Sequence, residues 1–400
     1  MFTNNQLGKY ADVLIWALKK ARTGTFKKKD IVIVRYSIPA LGLAEILHAK
    51  LLKMGMNPIL RANPTSVMER DFYDISNDDQ LVFLAPGDKE LIKNVNGSIF
   101  LHAPESITHL SHINPQKIGK VAISRKHLRD IMVKREEEGH FGWTLCMLPT
   151  KELARHAKIS MKEYTSQIIN ACFLNKASPV KEWQTVFDKA KTIKQWLNRM
   201  NIDTLHIESE RIDLEIKLGE KRRWIGGISG HNIPSFELFM SPDWRGTKGI
   251  YYANQPSYRT GNYVKGLKVE FQKGVATKVH AQAGENFARK QLLMDDGAKR
   301  IGEFSLTDKR FSKITTYMAN TLFDENYGGK YGNCHIALGA SYSDTYAGNP
   351  KELTKAVKIK LGFNDSALHW DIVNTENKRV SAKLLSGKKI TIYENGKFTY

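Results

Sequence analysis

The pattern of apolar residues changes near residue 200, and this change limits the folds that the chain can adopt. Before it, continuous apolar runs alternate with segments of helical spacing, such as residues 40–54. The runs are typical of buried strands. They occupy residues 30–37, 58–62, 80–85, 98–103 and 121–124. This alternation predicts a largely parallel sheet that is covered by helices.

After residue 200, the apolar residues fall into short alternating segments that Gly, Pro and Asn separate. This pattern predicts a mostly antiparallel sheet, with one helix over residues 285–298 and a final hairpin at an Asn-Gly turn. A chain of 400 residues is expected to form two domains. We therefore predict an α/β N-terminal domain over residues 1–199 and an α+β C-terminal domain over residues 200–400.

The charge balance is strongly basic. The chain has 61 Lys and Arg residues against 41 Asp and Glu residues, which gives a formal net charge of +20. Such a charge is typical of proteins that bind polyanions or acidic substrates. The basic residues are scattered, however, and no nucleic-acid-binding motif accompanies them. We therefore interpret them as a solvated surface and expect no specific nucleic-acid partner.

Several features predict a cytoplasmic protein. The cysteines, Cys146, Cys172 and Cys334, are far apart and form neither a disulfide framework nor a CxxC motif, which favours a reducing compartment. Cys334 adjoins a histidine in an expected strand, so its side chain should point to the opposite face, into the core. The first twenty residues predict an amphipathic helix rather than a signal peptide. No run of 18 apolar residues occurs, so no membrane span is expected.

Four stretches of the second half place metal-ligand side chains among apolar neighbours. Glu237 lies in FELFMS, Glu303 follows a glycine in RIGEFSL, and His335 begins the run HIALG. In HWDIV, His369 and Asp371 are two residues apart, so a strand would direct both to one face. Buried carboxylates are costly unless they are paired, protonated or bound to a cation. Two histidines and three carboxylates suit a borderline divalent ion, or two ions if a carboxylate bridges them.

Each of these residues also has an ordinary structural explanation. Glu237 could lie on the exposed face of an edge strand, and Glu303 could cap a helix or form a salt bridge. His335 could be a hydrogen-bonded histidine of the core. His369 and Asp371 could pair with each other on a half-exposed sheet face.

The order and spacing of five blocks carry a resemblance to a known family. The blocks are NIPSFELFMSP, DDGAKRIGE, LFDEN, NCHIALGASY and HWDIV. Together they resemble the M29 family of metallo-aminopeptidases, the aminopeptidase T group, over nearly the whole chain. The resemblance implies an N-terminal α/β domain, a C-terminal metal-binding domain and a homodimer. It also implies that the substrates are peptides with a free N-terminus.

The resemblance further implies a site for two divalent ions, with zinc, cobalt, manganese and magnesium all open. The positions that match the family's ligands are Glu237, Glu303, Glu325, His335, His369 and Asp371. Glu303 corresponds to the glutamate that bridges the ions or lies closest to the attacking water. Tyr342 corresponds to a tyrosine at the metal site. Glu325 matches an acidic position beside the second ion, although the loop that follows it is longer here than in the shortest family members.

We therefore predict a metallo-aminopeptidase, in which Glu303 moves protons and Tyr342 donates a hydrogen bond to the oxyanion. Two alternatives stay open. A two-metal phosphoesterase or nuclease would suit the basic charge, but such sites favour Asp-rich clusters. A nonenzymatic basic protein that binds nucleic acid would need no metal and would bind in a salt-sensitive way.

Overall fold

The protein is described from a computed structural model, which covers residues 2–226, 230–349 and 352–400. The chain divides into two compact units. The first unit comprises Met1–Thr185 and Ile228–Ser235, and the second comprises Val186–Gly227 and Phe236–Tyr400. The domain limits of 1–199 and 200–400 stay a prediction.

Helices and strands alternate in the first half of the described residues, and strands dominate the second half. The helices are α1 Asn4–Ala21, α2 Leu41–Lys53, α3 Ser66–Ile75, α4 Asp78–Val82, α5 Asp88–Asn94, α6 Pro115–Ser124, α7 Lys126–Glu137, α8 Lys151–Ala157, α9 Met161–Ala171, α10 Pro179–Arg199, α11 Glu285–Leu292, α12 Thr321–Asp324 and α13 Lys355–Lys360. The strands are β1 Ile31–Tyr36, β2 Asn57–Ala62, β3 Gly97–His102, β4 Gly142–Met147, β5 Ile202–Glu208, β6 Asp213–Lys217, β7 Ile225–Gly226, β8 Asn232–Ile233, β9 Glu237–Met240, β10 Lys248–Ala253, β11 Ser257–Arg259, β12 Asn262–Val264, β13 Leu267–Gln272, β14 Val275–His280, β15 Ile301–Thr307, β16 Asn333–Gly339, β17 His369–Asn374, β18 Arg379–Leu384, β19 Lys389–Glu394 and β20 Lys397–Phe398.

The first unit contains a parallel sheet with the strand order β2-β1-β3-β4-β8. Strand β1 lies inside this sheet and buries Val32, Ile33 and Val34, which explains its continuous apolar run. Helix α1 begins with a capping box between Thr3 and Gln6 and buries one apolar face. The predicted amphipathic helix and the α/β class of this region are thus confirmed.

Two of the expected strands in the first half do not form, because residues 80–82 and 121–124 lie in helices instead. Residues 80–85 include the end of α4, which begins with a capping box between Asn77 and Gln80. Residues 121–124 form the last turn of α6, whose start is fixed by Asn114 as cap and Pro115 at the first position. A short apolar run fits a buried strand and a buried helical turn equally well, so the start signals are what distinguish them.

The helix expected over residues 285–298 is shorter than predicted, because α11 ends at Leu292. The following turn is closed by Asp295, whose carboxylate accepts hydrogen bonds from the backbone N–H groups of Gly297 and Ala298. The same carboxylate also accepts a hydrogen bond from the hydroxyl of Ser366. An aspartate that binds backbone donors in this way favours a turn over continued helix.

The second unit is built mainly from antiparallel strands. One sheet has the order β14-β13-β10-β6-β5-β18-β19-β20, and another has the order β17-β16-β15-β9-β7. The predicted C-terminal hairpin is confirmed, since β19 and β20 pair across Asn395 and Gly396, which both have positive φ. The mostly antiparallel second half is therefore also confirmed. No helix of the described residues has the length and apolar character needed to cross a bilayer.

Candidate metal centre

Three neighbouring strands bring most of the predicted ligands to one face of the sheet β17-β16-β15-β9-β7. The register places Glu303, Ala337 and Asp371 in one row across β15, β16 and β17. In the next row along β16, Gly339 lies opposite His369. Directly opposite residues point to the same face, and small residues at 337 and 339 allow longer side chains on both sides to converge.

A β-bulge sets the direction of Glu303. The pairing of β15 with β16 shifts between Ile301 and Glu303, so that Gly302 is the extra residue. A Cβ atom at Gly302 would lie 2.2 Å from the carbonyl oxygen of Ala340, so no larger residue fits without movement of the backbone. The bulge explains why a glycine precedes this glutamate, since bulges re-aim side chains next to functional sites.

The first group of ligand-type side chains consists of Glu237, Glu303 and His335, whose ligand atoms all lie within 4.8 Å of one another. The Nε2 atom of His335 is 3.4 Å from Glu237 Oε2 and 3.3 Å from Glu303 Oε1. Glu237 Oε2 also accepts a hydrogen bond of 2.8 Å from the hydroxyl of Ser305. Glu237 is only 4% exposed, so its interpretation as an exposed edge residue is wrong.

The second group consists of Glu303, His369 and Asp371, again with ligand atoms within 4.8 Å of one another. His369 Nε2 lies 3.4 Å from Glu303 Oε2 and 3.3 Å from Asp371 Oδ1. The other ring nitrogen, Nδ1, is 2.9 Å from the carbonyl oxygen of Ala340. Because a carbonyl only accepts hydrogen bonds, Nδ1 carries the proton, and in the neutral ring the Nε2 lone pair faces the carboxylates.

Burial and mutual proximity shift the pKa values of these groups. Burial raises the pKa of Glu237 to about 7, with His335 opposing the shift. Burial disfavours the charged form of His335, yet its contacts with Glu303 and Glu237 raise its pKa to about 9. Burial likewise opposes the charged form of His369, but Asp371 raises its pKa to about 10. Burial would raise the pKa of Asp371, but His369 lowers it to about 2. The carboxylates therefore strongly favour positive charge at this place.

Glu325 and Tyr342 lie beside the two groups. Burial, followed by the negative charges of Glu237 and Asp371, raises the pKa of Glu325 well above its ordinary value. Glu325 is not a member of either ligand group found among the described residues. The ring of Tyr342 meets that of His369 edge-on, with 4.7 Å between centroids. Burial raises the pKa of the Tyr342 phenol well above 10, so the phenol keeps its proton at neutral pH.

The residues on both sides of Glu325 have structural roles that the motif alone did not show. Asp324 accepts hydrogen bonds from the backbone N–H groups of Met318 and Asn320. Asn326 accepts one of 2.6 Å from the N–H of Phe236, which directly precedes Glu237. The DEN segment thus fixes two loops next to the candidate ligands.

Sequence reasoning also missed two side chains that contact the ligand residues. Ser305 holds Glu237, and a signal for it existed, because Ser305 is two residues after Glu303 and therefore on the same strand face. Arg259 donates a hydrogen bond from Nη1 to the carbonyl oxygen of His369 at 2.7 Å. Its positive charge also lowers the pKa of Asp371. Burial, which raises this pKa, and the two histidines, which lower it, have larger effects. Nothing in the sequence around Arg259 indicated this contact.

The donor set fits a divalent metal. Carboxylate oxygens and imidazole nitrogens that converge within 4.8 Å are the ligand types used by zinc, cobalt and manganese. Three buried or half-buried carboxylates so close together repel one another unless a cation or protons neutralise them. Glu303 is common to both groups.

Comparison with known proteins agrees with this chemistry. A family model described as thermophilic metalloprotease (M29) matches residues 3–398. Aminopeptidase T of Thermus aquaticus is 28% identical over 270 residues, which are 65% of this chain and 63% of that protein. Aminopeptidase AmpS of Bacillus subtilis (strain 168) is 27% identical over 270 residues with the same coverage. The matched region thus spans less than two thirds of the length of these relatives.

A solved structure, wild-type AmpT from Thermus thermophilus, has the same fold. It superposes with a TM-score of 0.78 at 21% sequence identity and covers 98% of this chain and 99% of that one. The family match over nearly the whole chain, together with a donor set that suits a divalent ion, identifies the protein as a member of the M29 family of metalloproteases.

Proposed function

We propose that the protein is a metal-dependent aminopeptidase that releases N-terminal amino acids from peptides. One observation carries the proposal: the two carboxylate oxygens of Glu303 face different histidines. Oε1 lies 3.3 Å from His335 Nε2, and Oε2 lies 3.4 Å from His369 Nε2. A carboxylate in this position can bridge two ions, as hydrolytic two-metal sites require. The names of the relatives as aminopeptidases support peptides, rather than phosphoesters, as substrates.

Two divalent ions per subunit are proposed. Glu237, Glu303 and His335 would hold one ion, and Glu303 with the HxD pair, His369 and Asp371, would hold the other. Glu325 is buried beside them and is proposed as a further ligand of the second ion. With Glu325, four carboxylates balance the four positive charges of two divalent ions. The imidazole ligands favour zinc over magnesium, whereas the carboxylates suit manganese and magnesium alike.

The residues of the site can each perform one step of peptide hydrolysis. When bound, divalent ions would lower the pKa of a water molecule and polarise a carbonyl oxygen. With one of its oxygens free of metal, the Glu303 carboxylate would take a proton from the attacking water and pass it to the leaving amine. Tyr342 keeps its phenol proton and donates a hydrogen bond to the developing oxyanion. The hydrogen bond from His369 Nδ1 to Ala340 holds this ring in the orientation that directs Nε2 to the site.

The assembly of the protein is proposed on the family resemblance, and its location is proposed on its cysteines. A homodimer is proposed, and light scattering coupled to size-exclusion chromatography measures its mass directly. A cytoplasmic location is proposed because the dispersed, buried cysteines suit a reducing compartment.

The test of the activity combines metal analysis with a matched set of substrates. Purified protein should contain about two equivalents of a divalent metal and should hydrolyse aminoacyl-p-nitroanilides. Dialysis against a chelator should abolish hydrolysis, and added Zn²⁺, Co²⁺ or Mn²⁺ should restore it. N-acetylated versions of the same substrates are the control and should not be cleaved. Cleavage of bis(p-nitrophenyl) phosphate, but of no aminoacyl-nitroanilide, would contradict the proposal.

A further inference from the structure

The strand that carries His369 and Asp371 is the edge of its sheet. Strand β17 pairs with β16, and among the described strands it is the terminal member of the order β17-β16-β15-β9-β7. Edge strands leave a row of backbone groups without partners from their own sheet. A displacement of β17 would move both of its candidate ligands together, whereas Glu303 and His335 lie on internal strands.

Residues 254–259 lie along this open edge, and we call them the edge segment. At its beginning, Asn254 accepts a hydrogen bond of 2.9 Å from the N–H of Thr375 and donates one of 3.0 Å to the Thr375 hydroxyl. The N–H of Gln255 donates to the carbonyl oxygen of Val373 at 3.3 Å. These contacts hold the C-terminal end of β17.

Near the ligands, the edge segment contacts β17 through side chains. Arg259 Nη1 donates to the carbonyl oxygen of His369 at 2.7 Å. The guanidinium group lies 5.9 Å from the centre of the Trp370 ring. Ser257 accepts a hydrogen bond of 3.0 Å from the indole N–H of Trp370. The edge segment thus holds the backbone of His369 on the side opposite β16. The same segment fixes Trp370, whose side chain lies on the sheet face away from the ligands.

We propose that Arg259 is a positioning residue for the second ligand group and that it sets the affinity of this group for a divalent ion. This inference rests on the proposed function. The hydrogen bond from Arg259 fixes the backbone from which His369 and Asp371 project, and outer-shell partners of this kind contribute strongly to metal affinity. The first group should not depend on Arg259, because Glu237 and His335 lie on internal strands.

A purely structural role for Arg259 makes a different prediction. If Arg259 only anchors the short hairpin of β11 and β12, its removal should lower the thermal stability of the chain without a change in metal affinity. Metal titration therefore separates the two roles, and activity measurements are not needed to do so.

The experiment titrates the metal-free full chain with Co²⁺. Calorimetry measures the affinity for each ion, and the visible absorption of bound Co²⁺ reports on its ligands. Arg259→Met is the test variant. Arg245→Met is the matched control, because Arg245 also donates a hydrogen bond to a backbone carbonyl, that of Lys360, and pairs with Asp243. Arg259→Lys keeps the charge but not the planar fork of donors.

We expect wild-type protein and Arg245→Met to bind two Co²⁺ ions with the same affinities. Arg259→Met should bind one ion normally and the other at least about tenfold more weakly, and Arg259→Lys should lie between. Wild-type affinity for both ions in a folded Arg259→Met variant would overturn the inference. If that variant does not fold, wild-type affinity in Arg259→Lys overturns it. Failure of wild-type protein to bind Co²⁺ would instead contradict the proposed function.

Discussion

At the scale of single residues, the candidate centre depends on side chains whose two polar atoms make different contacts. Glu303 directs one oxygen toward each histidine, and His369 uses one ring nitrogen for the backbone and the other for the carboxylates. Such residues specify a geometry rather than a single contact. A substitution that removes one of the two polar atoms therefore also changes the contact that the other atom makes.

Glu303→Gln keeps the shape of the side chain and removes its charge and its ability to accept a proton. We expect turnover of an aminoacyl-nitroanilide to fall at least about 100-fold, as is typical for loss of a general base. Far-ultraviolet circular dichroism should stay unchanged. Glu208→Gln, at an exposed position of β5, is the control and should leave turnover intact. Near-wild-type turnover by a metal-loaded Glu303→Gln variant would exclude Glu303 as the proton carrier.

At the scale of secondary-structure elements, the bulge in β15 makes the most specific prediction. In Gly302→Ala, the new Cβ atom would meet the carbonyl oxygens of Ala340 and Gly339 at 2.2 and 2.4 Å. We expect the free energy of unfolding to decrease by about 1–3 kcal/mol, the usual cost of overpacking. Metal content after dialysis should also fall, because the bulge directs Glu303.

Gly8→Ala is the control for this prediction. A Cβ atom at Gly8 meets nothing within 4 Å, and Gly8 lies inside α1, where alanine is the better helix former. Its free energy of unfolding should stay equal or increase, with metal content unchanged. Equal stability of Gly302→Ala and wild-type protein in denaturant titrations would show that the bulge tolerates a side chain.

The elements also show which parts of the site could be predicted from sequence. The two-residue period of a strand correctly put His369 and Asp371 on one face and Trp370 on the other. The same period could have found Ser305. The contact of Arg259 with His369 joins residues 110 positions apart, and no periodicity encodes such a contact.

The errors in the fold have a physical cause as well. The segments 80–85 and 121–124 are too short for their apolar pattern to distinguish a strand from one turn of helix. The caps at Asn77 and Asn114 were the deciding signals, and they lie outside the apolar runs. A longer segment such as α1 carries enough period to be assigned correctly.

At the scale of the whole molecule, a net charge of +20 coexists with an acidic candidate centre. If the basic residues form only a solvated surface, nucleic acid should bind weakly and release between about 50 and 200 mM salt. Hydrolysis of an aminoacyl-nitroanilide should hardly change over that range, because the ligand residues are buried or half-buried and salt screens such charges much less than exposed ones. Fluorescence anisotropy with labelled RNA and DNA measures the first effect. Tight, sequence-selective binding at 200 mM salt would contradict the interpretation.

The order of the ligand strands also determines when the centre can form during synthesis of the chain. Strands β9, β15 and β16 supply Glu237, Glu303 and His335, and they precede the edge strand β17 along the chain. A growing chain therefore contains every member of the first ligand group before His369 and Asp371 have been made. Since β17 is the edge strand, the proposed site for the first ion contains no residue of β17. The proposed site for the second ion is complete only after β17 has paired with β16.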